Sequence, residues 1–379
     1  MPTSLPPLTE PGAELTPAQQ LRYSRHLLLP AVGDLGQRRL LASRVLVVGA
    51  GGLGSPILLY LAAAGVGTIG IIDPDLVEVS NLHRQILHGS ADVGRPKTTS
   101  AAESVGAVNP DVTVVEHQER LTAANAERIC AGYDLVLDGT DNFPTRYLVN
   151  DVCALLGLPL VWGSILGFEG QASVFWAAHG PQYRDVFPTP PPPGSVPSCA
   201  TGGVLGVLCG VIGSIMATEA VKLICGAGDT LLGRILFYDA LALTFRTISV
   251  RPDPDALPIT GLVDYEAFCG VLPPAGLVGA TELASLVADG TPVLLVDVRE
   301  PWEHARGAIE GSVLIPLDGI TSAGALELIG GHPEVILYCA SGARSARAVD
   351  ELRAAGLTGV RQLDGGILAW QELAARGGR

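Results

Sequence analysis

Gly49-Ala50-Gly51-Gly52-Leu53-Gly54 stands between an apolar run, residues 44–48, and a helix-forming run that opens at Ser55. Glycines at this spacing permit a tight turn and a close backbone approach, and a helix start offers unpaired N–H groups to phosphate. Asp73 closes the next apolar run, at the distance where a carboxylate can take ribose hydroxyls. Arg84, Lys97 and Asp141 follow at later strand ends or helix starts. Two cations that neutralise a transferring phosphate and a carboxylate that holds Mg²⁺ suit a polyphosphate better than a nicotinamide. A nicotinamide site stays open as the rival reading of the glycine turn. Lys97 is one of only two lysines, with Lys222, among 24 basic residues, which fits a selected role. A second chemical locus is Cys339-Ala340-Ser341-Gly342-Ala343-Arg344, between the apolar run VILY and a helix-forming segment. A thiol in such a turn meets backbone N–H groups and a helix dipole, and both favour a thiolate or an anionic persulfide.

The elements that must hold these residues can be read from periodicity. Residues 44–73 alternate strand, glycine turn, helix and strand, a βαβ unit. Helices are expected from about Pro96, over 122–131 and over 142–157, with strands at 112–116, 133–138 and 159–165. This repeated alternation argues for an α/β fold, a Rossmann-like doubly wound and mostly parallel sheet. Residues 168–176 and 234–250 read as added strands, with a long buried helix at about 203–225. Before them, residues 1–15 read as a disordered Pro-rich lead. Thr16-Pro17 should cap a helix running to about Leu29. Residues 16–250 are thus one domain. Residues 251–276, with five prolines and little periodicity, read as a linker. Residues 277–379 carry four short strand patterns in a smaller α/β domain.

With these parts in place, residues 16–250 resemble the ubiquitin-activating-enzyme-like adenylyltransferases of the HesA/MoeB/ThiF family. The matching stretches are Arg22-Tyr23-Ser24-Arg25-His26, GAGGLG, IIDPD, SNLHRQ, GRPK, DGTDN, Phe168-Glu169-Gly170-Gln171 and Phe237-Tyr238-Asp239-Ala240. The resemblance implies ATP and Mg²⁺, with activation of the C-terminal glycine of a ubiquitin-fold sulfur carrier. It implies nucleotide contacts at Gly49, Gly51, Gly52, Gly54, Asp73, Ser80, Asn81, Leu82, His83, Arg84, Gln85, Lys97, Asp141 and Asn142. Asp141 would hold the Mg²⁺. It also implies a homodimer in which Arg25 reaches the partner's triphosphate. Many relatives hold a zinc with two Cys-x-x-Cys pairs. Here Gln182 and Asp185 stand in place of the first pair and residues 251–255 lack the second, so no zinc is expected.

The C-terminal segment resembles rhodanese sulfurtransferases. Cys-x-x-Gly-x-Arg at Cys339–Arg344, after Asp297-Val298-Arg299-Glu300, carries the match. Cys-x₅-Arg phosphatases are the rival. Here four residues separate the Cys from the Arg, and the shorter loop favours a sulfur over a tetrahedral phosphate. Gly307-Ala308-Ile309-Glu310 departs from the usual Gly-His-Ile-Pro. The fused chain thus reads as an adenylyltransferase and sulfurtransferase that converts a carrier to its thiocarboxylate, fed by a cysteine desulfurase or by thiosulfate. The alternatives are an enzyme that only adenylates, with the second domain as a binding module, and a nicotinamide-dependent oxidoreductase. Cys199, after a proline run, is either an inert thiol or a transient link to the carrier tail.

Composition bounds these readings. The 379 residues carry 24 basic and 38 acidic side chains, a net charge of −14, which excludes a phosphate-tracking nucleic-acid binder. An apolar share of 48% excludes intrinsic disorder. Two long uncharged runs, 45–72 and 186–218, are broken by glycine and proline, so they read as buried sheet and helix rather than membrane spans. The N-terminus has no basic and apolar secretory pattern, and the seven cysteines are scattered and odd in number. Reduced thiols in a cytoplasmic protein are expected.

Overall fold

The computed structural model describes residues 5–191, 202–269, 276–357 and 359–377. The chain divides into two units, residues 1–270 and 271–379. The first unit opens with helices α1 (Pro17–Arg22), α2 (Ser24–Leu27) and α3 (Gly33–Ala42). Then follow β1 (Arg44–Val48), α4 (Gly54–Ala64), β2 (Thr68–Ile72), α5 (Lys97–Val108), β3 (Thr113–His117), α6 (Ala126–Cys130) and β4 (Leu135–Asp138). The unit continues with α7 (Phe143–Leu156), β5 (Leu160–Leu166), β6 (Glu169–Phe175), α8 (Tyr183–Val186) and α9 (Gly206–Cys225). It closes with β7 (Arg234–Asp239), β8 (Thr244–Ser249) and α10 (Tyr265–Phe268).

The eight strands form one sheet in the order β3-β2-β1-β4-β5-β6-β7-β8. The first five pair in parallel, and β6, β7 and β8 are added antiparallel. Successive side chains of a strand point to opposite faces. Val45 and Val47 therefore pack with Ile57, Leu61, Ile212 and Met216 of α4 and α9. Leu46 and Val48 pack on the other face with Ile129, Leu148 and Trp162. A sheet covered on both faces needs apolar residues at every position, which accounts for the uncharged run at 45–72. α9 is long and apolar enough to cross a membrane, yet Leu208, Ile212, Met216 and Ala220 are fully buried in the core of this unit.

The chain turns outward from β1 to β2 and β3, then returns to lay β4 on the other side of β1. The crevice above the carboxyl ends of β1 and β4 is therefore the switch point where doubly wound sheets bind ligands. Gly49 and Gly139, which follow these two strands, touch there: Gly139 N–H donates to Val48 O at 2.9 Å.

The second unit holds β9 (Leu277–Val278), α11 (Ala280–Ala288), β10 (Leu294–Asp297), α12 (Pro301–His304) and β11 (Val313–Leu314). After these come α13 (Ala323–Gly330), β12 (Val335–Tyr338), α14 (Ala343–Ala354), β13 (Val360–Leu363) and α15 (Gly366–Gly377). Its five strands are all parallel, in the order β11-β10-β12-β13-β9. Cys339 follows β12, the central strand.

Three local expectations need correction. Residues 5–15 are not a loose lead: Leu5 and Leu8 pack on the core, Leu15 is buried, and Leu8 N–H donates to Leu223 O at 3.2 Å. Proline here stiffens an extended strap, and Arg38 fixes it through two bonds to Gly12 O at 2.9 and 2.7 Å. The helix expected from Pro17 to Leu29 breaks at Tyr23, whose buried ring serves tertiary packing and whose hydroxyl accepts from Asn109 Nδ2 at 2.9 Å. The added strands expected at 234–250 are present as a hairpin of two, and Leu243 at its tip takes a positive φ of 53°. The stretch 251–276 is not linker throughout. Tyr265 and Cys269 are buried in the first unit, and Tyr265 Oη donates to Asp151 at 2.7 Å. Arg184 completes that clasp with two bonds to Asp151 at 2.7 and 2.6 Å and lies over the Phe268 ring.

Candidate functional site: a nucleotide cleft and a thiolate loop

A cleft of about 530 Å³ opens at the switch point. Gly49, Gly51 and Gly52 form one wall; Asp73, Asn81, Arg84, Gln85 and Lys97 line it from the β2 side, and Asp141 and Asn142 from the β4 side. The turn is held by backbone constraints. Gly49 has a φ of +93°, and a Cβ on Gly54 would overlap the Gly49 carbonyl, so α4 starts hard against the strand end. Gly54 therefore acts behind the cleft wall and does not line it.

Asp73 is 6% exposed and spends both oxygens on backbone: Oδ2 accepts from Ala50 N–H at 2.8 Å and Oδ1 from Asp75 N–H at 2.9 Å. Burial pushes its carboxyl up, and the Lys97 charge and the two N–H donors offset part of this. Asp73 thus positions the glycine turn as well as facing the cleft. Lys97 Nζ is paired with Asp75 at 2.8 Å. Arg84 is held by Ser80 O at 3.0 Å and lies 2.9 Å from His83 Nε2. Ser80, Leu82 and His83 shape this turn and do not line the cleft. Asn142 caps α7, its Oδ1 accepting from Thr145 N–H at 2.9 Å. Arg25 is exposed on α2 and lies outside the cleft lining.

Three further groups at this site escape a sequence reading. Asp138 is fully buried at the end of β4. Its Oδ1 accepts from Thr140 N–H and Oγ1 at 2.9 and 2.6 Å, and its Oδ2 has no hydrogen-bond partner among the described residues. Burial raises its carboxyl, against the hydrogen bonds from Thr140 and the charge of Arg146. Arg146 is 9% exposed, lines the cleft and stacks over Phe143 and Trp162, and its Nε also lacks a partner among the described residues. The third is His88. Nε2 lies 3.0 Å from Ala50 O and Nδ1 2.8 Å from Ser100 Oγ. A carbonyl only accepts, so Nε2 carries the proton and Nδ1 accepts from the serine. This buried, neutral imidazole braces the glycine turn from below.

The residues present fit a nucleotide triphosphate. The turn would cradle phosphate with backbone N–H groups, Arg84 and the Asp75-paired Lys97 would meet its charge, and Gln85 Oε1 and Arg146 Nε, without partners among the described residues, border the cleft. Asp141 lines the cleft on the β4 side within electrostatic reach of Asp138, and one or two carboxylates suit Mg²⁺ shared with phosphates rather than a protein cage. Among the described residues no three His, Cys, Asp or Glu side chains converge to hold a metal. At the position compared with a zinc pair, Asp185 accepts from Gln182 N–H at 2.7 Å and from Asp253 N–H at 3.2 Å, so hydrogen bonds join the two segments.

In the second unit Cys339 is 1% exposed. Its Sγ accepts from Gly342 N–H at 3.2 Å and lies 3.7 Å from Ser345 Oγ. Burial pushes the thiol up, but hydrogen bonds from the Ser345 backbone and hydroxyl and from the Ser341 and Gly342 N–H groups outweigh it and hold the thiol below its usual value. At Cys130 and Cys225 burial prevails instead, pushing the thiols up to about 12 and about 11. Gly342, with φ +103°, turns the chain into α14. Ala340, Ser341 and Ala343 complete the loop, and the N-terminus of α15 supports it through Ile367 N–H to Cys339 O at 2.9 Å. Arg344 does not reach for the sulfur. Both Nη groups bind Glu303 at 2.6 Å. The Asp297 carboxylate, fully buried, takes Arg299 and His304 and so braces the neighbouring loop. Cys199 lies outside the described residues.

Comparison with known proteins agrees with both halves of this geometry. Residues 23–258 match the model of the ThiF family, and residues 279–373 match the rhodanese-like domain. The chain is 53% identical over 381 residues to a Mycobacterium tuberculosis protein named "Probable adenylyltransferase/sulfurtransferase MoeZ", covering 98% of this chain and 97% of that one. It is 54% identical over 262 residues to the "Sulfur carrier protein adenylyltransferase" of Thermus thermophilus, covering 66% of this chain and 96% of that one. In structure, E. coli MccB shares the fold at a TM-score of 0.57 and 20% identity, over 63% of this chain and 74% of that one. A family match across most of the first unit, with a rhodanese-like match across the second, makes this chain a member of the ThiF family that carries a C-terminal rhodanese-like domain.

Proposed function

We propose that this chain uses ATP to activate the C-terminal glycine of a small ubiquitin-fold sulfur carrier and then supplies that carbonyl with sulfur through Cys339. The observation that carries the reading is the presence in one chain of a phosphate-cradling cleft and a thiol held toward its thiolate. In the first step a carboxylate oxygen of the carrier attacks the α-phosphorus of ATP and pyrophosphate leaves. Arg84 and Lys97 stabilise the charge on the phosphate oxygens, and Asp141 would hold the Mg²⁺ that neutralises it. No side-chain nucleophile is needed, and positioning supplies much of the rate.

In the second step a persulfide on Cys339 attacks the acyl-adenylate carbonyl and AMP leaves. Release of the thiocarboxylate from the resulting acyl disulfide takes a second thiol, which becomes disulfide-bonded to Cys339. A homodimer in which Arg25 completes the partner's triphosphate site and a cytoplasmic location belong to the same proposal. The relatives named adenylyltransferase/sulfurtransferase and sulfur carrier protein adenylyltransferase support it. The test is Cys339→Ala in the full chain. Carrier-dependent ATP–pyrophosphate exchange should persist within about twofold while thiocarboxylate formation falls to background. Unchanged thiocarboxylate formation would reduce the second unit to a binding module.

A further inference from the structure

Arg344 closes the Cys339 loop, and its charge is already met. The two Nη groups donate to the two oxygens of Glu303, each at 2.6 Å, a bidentate pair. Glu303 is fixed in turn: its Oε2 accepts from Glu300 N–H at 3.0 Å, the cap of α12. The hydrogen bonds from Arg344 lead the causes that hold the Glu303 carboxyl down at about 2, so it stays charged through the working pH range. The Cys339 sulfur lies within electrostatic reach of Arg344. Two further arginines of this unit are also met. Arg299 is bound to Asp297 at 2.6 Å, and Arg347, one turn along α14, to Glu351 at 2.8 Å. Glu300 also lies within electrostatic reach of Arg344, so a thiolate, one guanidinium and two carboxylates leave the loop with a net negative charge.

We infer that Glu303 is a specificity-determining residue: by masking Arg344 it turns the Cys339 loop away from small dianionic sulfur donors and toward a donor whose transferable sulfur bears at most one charge, a protein cysteine persulfide. The inference rests on the sulfur-transfer reading above and identifies the donor class for that site. Both reactions balance. With thiosulfate, the Cys339 thiolate forms a bond to the sulfane sulfur, the sulfur–sulfur bond of the donor breaks, and sulfite leaves with the electron pair. With a persulfide donor the same bond forms, and the donor thiolate leaves. The charges differ. Thiosulfate must bring two negative charges against a carboxylate that Arg344 only balances. At a separation of about 8 Å and a near-aqueous dielectric of about 60–80, one such carboxylate slows a dianion roughly six- to tenfold.

The experiment loads Cys339 of the full chain in single turnovers, with thiosulfate (read as sulfite release) and with cysteine persulfide (read as one added sulfur by intact mass). Glu303→Gln keeps an oxygen to cap Glu300 N–H. It should raise thiosulfate loading about tenfold and change persulfide loading less than about twofold. Arg344→Gln should lower thiosulfate loading by a similar factor, and the double variant should return near wild type, because the charges add. In wild type, added salt should lower the KM for thiosulfate by screening the repulsion. Thiosulfate loading that is unchanged or slower in Glu303→Gln while persulfide loading is intact overturns the role of Glu303. So does a thiosulfate KM that salt leaves unchanged or raises, a measurement that needs no variant. If Cys339 takes sulfur from neither donor, the sulfur-transfer reading itself fails.

Discussion

The turn after β1 and the turn after β12 both set glycine and backbone N–H groups at the end of a buried parallel strand. At Gly49–Gly54 those groups face a cleft of about 530 Å³, and the positive charge comes from Arg84 and from Lys97, itself paired with the exposed Asp75, 30 or more residues away in sequence and brought in by the β2–α5 connection. At Cys339–Arg344 the backbone and Ser345 aim at a single sulfur, and the one cation of the loop is turned to Glu303. The first arrangement suits an extended, multiply charged ligand that must be gripped at several points. The second suits one polarizable atom that must be kept ionised and then given up. A shared local motif thus holds two kinds of anion, and what distinguishes them is where the neutralising side chains come from.

The largest test of that division is Asp141→Ala. Carrier-dependent pyrophosphate exchange should fall by about 10²-fold or more, while sulfur loading of Cys339 stays within about twofold. Loss of both activities would mean that the two sites are not separable.

Paired glycine substitutions ask the same question through stability. Gly54→Ala drives a methyl into the Gly49 carbonyl. It should cost the first unit about 1–3 kcal/mol and weaken nucleotide binding, with Cys339 loading retained. Gly366→Ala puts a Cβ 2.5 Å from Cys339 O at a φ of +60°, and it should cost a similar 1–3 kcal/mol in the second unit. Thermal melts scored against each activity would distinguish the units. A Gly366→Ala protein that loses exchange before loading would contradict the comparison.

The smallest effect is a pH slope. Burial lowers the His88 imidazole below its ordinary value of 6.5; Lys97 adds to this, and the Ala50 carbonyl, Asp92 and Asp73 oppose it. The unfolded chain therefore binds the proton first. Stability is full above about 6.5 and declines as pH falls through that value toward the folded one. His117, lowered by burial as well, acts in the same direction. Urea midpoints of the first unit should fall between pH 7.5 and 5.5, and His88→Gln should flatten part of the slope. An identical slope in wild type and variant would remove His88 from the brace.

Much of this architecture is written locally. Short continuous apolar runs mark β1, β2, β4 and β12, glycine marks their turns, and Cys339 with Gly342 and Arg344 marks the sulfur loop, because strand burial, positive φ and helix starts each constrain neighbouring residues. Gly49, Gly51, Gly52, Asp73, Lys97 and Asp141 were legible in the same way, since the fold must bring the strand ends of β1, β2 and β4 together. Four features were not. Leu5 and Leu8 strap a Pro-rich lead to the core, Tyr265 clasps Asp151, His88 props Ala50, and Glu303 takes Arg344. Each joins residues that no period relates, across 38 to 215 positions for the first three and 41 for the last. The sequence by itself determined which turns could hold an anion. Only the tertiary structure decided which charges those anions would meet, because a salt bridge or a buried hydrogen bond is set by distance in space, and a linear pattern carries no record of it.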